Sequence, residues 1–160
     1  PLHRAEPEGL HMSAPFRIEE VAARIEAEVA ELTGQLGEAA DFADLVERKK
    51  LPAKTGGFVL PGGLRGGAAD AASGLFRQSF DEIVKVVLVV RVAGDPLRAK
   101  AVASLVPLAR ATINAVAGWA PDDSIGVFRL VQAELIGASG GALIFEIDFA
   151  LDDQLRITTT

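Results

Sequence analysis

The chain has no cysteine and no tyrosine, one tryptophan, one methionine and two histidines in 160 residues. Without thiols there can be no disulfide, no thiolate nucleophile and no zinc–thiolate site, which suits a reducing compartment. His3 and His11 both fall in the first eleven residues. The remainder therefore lacks most of the usual general bases and nucleophiles, and no enzyme activity, metal or cofactor is expected. Positive charge is also in short supply: 16 Lys and Arg against 22 Asp and Glu give a net charge of -6. Such a chain is not drawn to phosphate backbones, which argues against sequence-independent nucleic-acid binding. Long apolar runs are missing as well. The longest, Val86–Val90, is far too short to span a membrane. The polar, proline-containing opening PLHRAEPEGLH has no signal-peptide pattern. These absences read as a soluble intracellular protein with no membrane association.

What is present points to a single α+β domain. A chain of this length buries about 70% of its unfolded surface and needs no covalent staple. Residues 15–157 are expected to form the domain, with residues 1–14 a loose extension and 158–160 a short tail. Within the extension, Pro1–His11 precede Met12, where translation could begin, and read as a loose extension or a vector remnant. Hydrophobic residues make up 49% of the chain. That is more than one core of this size requires, and a partner can cover the surplus. The organising stretch is FDEIVKVVLVVRV, Phe80–Val92. It is β-branched, alternates with period two, is apolar in both registers, and so predicts a central strand buried on both faces.

Around it, Phe16–Leu32 has helical apolar spacing, with Pro15 in the first turn, Glu20 and Arg24 spaced for an ion pair, and Thr33-Gly34 as its stop. Gln35–Ala40 reads as a weak strand and Asp41–Lys49 as a short helix capped by Asp41. Gly57–Leu60 reads as a short strand ended by Pro61. PGGLRGGAADAASG, Pro61–Gly74, shows no periodicity and reads as a long loop, either functional or a mobile arm against a neighbour. Asp95-Pro96 opens a helix running to about Ala117, which Pro107 should kink or split. Trp119 should pack back on the sheet. Val127–Ile136 and Ala142–Leu151 read as a hairpin through Gly137–Gly141. The predicted architecture is a two-layer sandwich: a mostly antiparallel sheet of about four strands with two long helices on one face.

Motifs that could carry chemistry fail on context. Gly137-Ala138-Ser139-Gly140-Gly141 matches G-x-S-x-G, but a strand follows instead of a helix, and no histidine lies downstream. The glycine-rich stretch lacks the Lys-Ser/Thr of a P-loop and leads into a strand, not a helix N-terminus. Asp81-Glu82, Asp122-Asp123 and Asp152-Asp153 are neighbours in sequence, which does not set two carboxylates facing each other across a cleft. Arg48-Lys49-Lys50 is too short, and too poor in aromatics, for a nucleic-acid surface.

The segment order, together with FRIEEVAARIEAEV, GGFVLP, RQSFDEIVKVVLVV, the GDP that opens the second long helix, GWAPDD at its end and ALIFEIDFALDDQLR, resembles the phage tail terminator family over about Pro15 to Ile157. The resemblance implies a structural virion component assembled in the host cytoplasm. It would be a hexameric ring of this chain at the head-proximal end of the tail, touching the tail tube protein and a neck or head-completion protein, with genomic DNA passing through the lumen unbound. On that reading Leu64, Arg65, Leu75, Phe76 and Arg77 are the expected subunit or tube contacts. Glu146, Asp148 and Asp152 are expected to form an acidic lumen or interface face, or simply to meet solvent. Another neck or tail-completion protein, or a generic homo-oligomeric interaction module of the same fold, remains open, as does a small-molecule enzyme with unusual catalytic residues.

Overall fold

The structure is a computed structural model that describes residues 17–94, 99–122, 126–139 and 141–158. It is α+β, with a five-stranded mixed sheet and three α-helices. In chain order these are α1 (Ile18–Glu28) followed by a 3-10 turn (Ala30–Leu32), β1 (Leu36–Gly37), α2 (Ala39–Glu47), β2 (Gly56–Ala72), β3 (Leu75–Arg91), α3 (Ala99–Val116), β4 (Arg129–Ser139) and β5 (Ala142–Thr158). The sheet order is β1-β2-β3-β5-β4. β1 joins β2 in parallel, and every other pairing is antiparallel.

The apolar stretch singled out in the sequence is the centre of the molecule. β3 pairs along its whole length with β5, from Leu75↔Thr158 to Arg91↔Ala142. Its two apolar registers serve two cores. Val84, Val86, Leu88 and Val90 meet Val21, Ile25 and Leu32 from α1 and its turn, and Leu105, Leu108 and Val116 from α3. Val87 and Val89 point the other way, toward a smaller cluster with Phe58, Leu60 and, from α2, Phe42 and Leu45. The Phe42 and Phe58 rings lie 5.2 Å apart at 52°, a tilted geometry that favours ring edge against ring face. The expected α+β sandwich holds in outline, with the two long helices α1 and α3 on one face. The sheet has five strands where about four were expected, and the short helix α2 covers part of the opposite face.

Local chemistry explains most of the boundaries. α2 starts one turn before the expected position. Glu38 is the cap and Asp41 sits at N3, the two exchanging side-chain-to-backbone bonds as a capping box. Arg24 does not pair with Glu20. It reaches Glu28 (3.0 Å) and the Ala115 carbonyl at the end of α3 (2.9 Å), with its guanidinium 5.6 Å from the Trp119 ring. Trp119 stacks on Phe128, 5.8 Å away at 15°. A backbone clamp, Gly118 N–H to Phe128 O and Phe128 N–H to Trp119 O, ties the end of α3 to the start of β4. α3 continues through Pro107 without a break in the assigned helix. The Asp95-Pro96 helix start lies outside the described residues.

The largest departure is the glycine-rich stretch. Pro61–Ala72 is not a loop: it continues β2 and pairs with Leu75–Val84 of β3. The ladder is interrupted twice, between Pro61 and Gly63 and between Gly66 and Ala69. Glycine makes the first irregularity possible. A Cβ on Gly62 would lie 2.6 Å from the Ile83 side chain and 2.9 Å from its carbonyl oxygen. At the second, Gln78 Nε2 donates to the Gly67 carbonyl (3.3 Å) and Ser79 Oγ to that of Ala68 (3.4 Å), so β3 side chains occupy acceptors that the ladder skips. Ser73 and Gly74, the latter at φ 80°, close the turn. β5 likewise runs past its expected end to Thr158. The result is a three-stranded arm extending from the body.

Candidate assembly surfaces

The arm has two unlike faces, because side chains alternate along each strand. On the face continuous with the α1/α3 core lie Leu64, Phe76, Phe80, Leu155 and Ile157, in register with Val84 and Leu151 further down. In the body this face is covered by helices. On the arm it is open: Leu64 is 63% exposed, Ile157 46% and Leu155 41%. The opposite face carries Arg65, Asp70, Leu75, Arg77 and Arg156. The five expected contact residues therefore sit on one arm but not on one face. Leu64 and Phe76 lie on the apolar side, and Arg65, Leu75 and Arg77 on the polar side.

Below the arm, the polar face continues into a charged surface. Lys85 contacts both Glu146, at hydrogen-bond range, and Asp148 at 3.6 Å. Gln132 Nε2 donates to Asp148 Oδ2 at 3.0 Å. Next along, Arg129 bridges Asp81 (2.6 Å) and Asp152. Glu146, Asp148 and Asp152 do share this face, but the first two are held by a lysine, and Asp148 is only 8% exposed. Burial works against the Lys85 ammonium, yet the two carboxylates outweigh it and raise its pKa above the ordinary lysine value. The cations Lys85 and Arg129 are the residues that sequence reasoning passed over. Their signal was a lysine inside VVLVV-type alternation and an arginine at a strand start.

A third cluster fixes the arm's base. Arg17 sits at the start of α1 in a left-handed backbone conformation, φ 55°. Its guanidinium reaches Asp122 (2.5 Å), Glu20 (3.4 Å) and Glu82 of β3 (4.0 Å). Glu82 pays for this position. Burial, only partly offset by Arg17, pushes its carboxyl pKa up, with Asp153 and Glu20 adding to the rise.

The exposed edge strand β4 is a further surface. Leu130, Leu135 and Ile136 are 42%, 53% and 48% exposed. A shallow groove of about 410 Å³ separates it from α3, with Leu105, Val106, Leu130 and Phe145 among its walls. A second cleft, of about 570 Å³, lies between α1 and β1/β2 and is lined by Ile18, Ala22, Leu36, Val59 and glutamates 19, 26 and 38. Neither draws together an acid, a base and a nucleophile. Among the described residues no group of His, Asp or Glu is placed to hold a metal ion, and no helix is long and apolar enough to cross a membrane. The G-x-S-x-G stretch runs from β4 toward β5, strand to strand.

These surfaces offer open strand edges and exposed apolar side chains rather than a catalytic cleft. No curated protein matches the chain in a sequence search. The family model for the phage tail terminator protein matches residues 12–160, nearly the whole chain. The chain therefore belongs to the phage tail terminator family, structural components of the virion tail that act in its completion alongside other tail and head proteins.

Proposed function

We propose that the chain assembles into a closed ring on the head-proximal end of the tail tube. There it ends tube polymerisation and presents the surface on which a neck or head-completion protein docks. The family likeness makes a hexamer the expected ring. The observation that carries this reading is the arm: three strands projecting from the body with an apolar face, Leu64, Phe76, Leu155 and Ile157, that no helix among the described residues covers. A ring needs two different complementary patches on each subunit, and the arm and the β4 edge supply two candidates at different places on one sheet. The charged face suits a lumen. Below the arm, Asp81, Glu146, Asp148 and Asp152 outnumber Lys85 and Arg129, so DNA passing over that part would meet no net attraction, while the arm end of the same face carries Arg65, Arg77 and Arg156.

Light scattering and negative-stain imaging of the purified chain test the proposal. Rings with a central hole, found at one end of tail tubes when the two are mixed, are the expected result. A compact dimer that leaves tubes undecorated would favour a generic interaction module of this fold instead.

A further inference from the structure

We propose that the outer edge of β4 in one copy pairs antiparallel with the outer edge of β2 in a second copy, in the register that sets Glu134 against Arg65. This rests on the ring reading and names the interface within it.

Both edges are open among the described residues. β2 has a strand partner on its outer side only at Gly57 and Phe58, where β1 pairs with it, leaving 59–72 unpaired on that side. β4 is the last strand of the sheet. Exposed edges are normally blunted by charge, proline, bulges or shortness. β2 carries Pro61 and two irregularities in its ladder to β3, which the proposed pairing spans only in part. β4 is eleven residues long, contains neither lysine nor proline, and exposes Leu130, Leu135 and Ile136. Direction fits as well. β2, β3, β5 and β4 alternate in sense, so β4 runs opposite to β2. A second copy rotated about a ring axis would bring its β2 antiparallel to the first copy's β4, extending the same alternation.

The register follows from charge. Glu134 and Arg129 lie on the charged face, opposite Glu146 and Ala150 of β5. Arg65 and Asp70 lie on that same face, opposite Asp81 and Arg77 of β3. Each pair spans the same number of ladder steps, because each contains one irregularity: Leu130/Gln132 in β4 and Gly66/Ala69 in β2. Antiparallel pairing that places Glu134 opposite Arg65 therefore also places Arg129 opposite Asp70. On the other face it sets exposed Leu135 against exposed Leu64, Ala133 against Gly66 and Leu130 against Ala69. A slip of one step sends every side chain to the wrong face. A slip of two leaves Glu134 against glycine or alanine. Arg65, Asp70 and Glu134 have no ion pair within the chain among the described residues, whereas Arg129 is already held by Asp81 and Asp152. Glu134–Arg65 is thus the contact that decides the register.

Charge exchange is the test. Arg65→Glu and Glu134→Arg each place like charges opposite one another and should lower the assembled fraction about tenfold at fixed concentration, read by light scattering. The R65E/E134R double variant should recover it. Both side chains are exposed, and circular dichroism of each variant confirms folding. Because the chain has no cysteine, the L64C/L135C double variant reports directly. Oxidation should give a ladder of covalent oligomers, with neither single variant cross-linking. If the wild type assembles but both single variants assemble equally well, or Leu135→Cys alone gives covalent dimers, the pairing is overturned while the ring survives. A wild type that stays monomeric with and without tail tubes overturns the ring reading itself, and this pairing with it.

Discussion

Replacing Lys85 by methionine removes the one cation between Glu146 and Asp148 while keeping most of the side chain's volume. The Lys85 side chain is 29% exposed, and those of its partners 15% and 11%. Asp148 Oδ1 is buried with no hydrogen bond of its own, so the variant would leave two close carboxylates in a poorly hydrated place. Removing one partner of a fully buried ion pair costs about 3–5 kcal/mol. Partial solvent access reduces this to about 2–3 kcal/mol, since water screens part of the interaction. For a domain of this size that corresponds to a melting temperature lower by about 4–12 °C. The pH dependence is specific. Lys85 has its pKa raised in the fold, so its stabilisation is fully present below the ordinary lysine value and is lost only as pH rises through the raised one. At neutral pH the whole effect is visible. It should shrink only in alkaline solution, as pH rises through the raised lysine value. Thermal melts of wild type and K85M from neutral pH upward provide the assay. Adding Glu146→Gln and Asp148→Asn to K85M should restore most of the loss. A loss below about 0.5 kcal/mol at neutral pH would refute the reasoning.

Three further outcomes are expected. Glu82 has a raised pKa, led by burial, so the fold holds its proton more tightly than the unfolded chain does. Its contribution to stability therefore falls as pH rises from the ordinary glutamate value through the raised one, and E82Q should flatten the melting-temperature profile over that interval. Gly62→Val puts a branched side chain where a Cβ already lies 2.6 Å from Ile83. It should destabilise by about 1–3 kcal/mol in denaturant titrations, whereas Gly126→Ala, with open space around it, should be nearly neutral. Leu64→Ser with Phe76→Ser should leave the melting temperature within a few degrees, because Leu64 is exposed and Phe76 only half-buried. The same pair should abolish ring formation in light scattering.

The sequence made the body of this fold legible and concealed its arm. Val84 through Val92 shows both its strand period and its double burial, because each register is apolar and each meets a core. Ile18, Val21 and Ile25 repeat at helical spacing for the same reason. Pro61–Ala72 shows no period because its side chains are mostly small, its outer edge has no strand partner among the described residues, and Gly62 and Gly67 are there to let the ladder skip a residue. A strand that packs against little leaves little pattern. α2 was legible as a helix, but not its side of the sheet, since Phe42 and Leu45 could serve either face. The site residues divide along the same line. Leu64, Arg65, Leu75, Phe76 and Arg77 were placed by proximity to the glycine-rich stretch, and the alternation that splits them between two faces emerges only once Arg65 pairs with Asp81. Glu146 and Asp148 were visible as alternating acids, but Lys85 opposite Asp148 depends on a cross-strand register. β4 reads as one strand of a hairpin, and nothing in Arg129–Ser139 alone says that it ends the sheet.

Growth of tail tubes from purified tube protein, followed by electron microscopy with and without this chain, tests the central claim most directly. The account predicts ring-shaped density at one end of each tube and no further elongation there when fresh tube protein is added. Tubes that lengthen equally at both ends in its presence, with no end density, would contradict it.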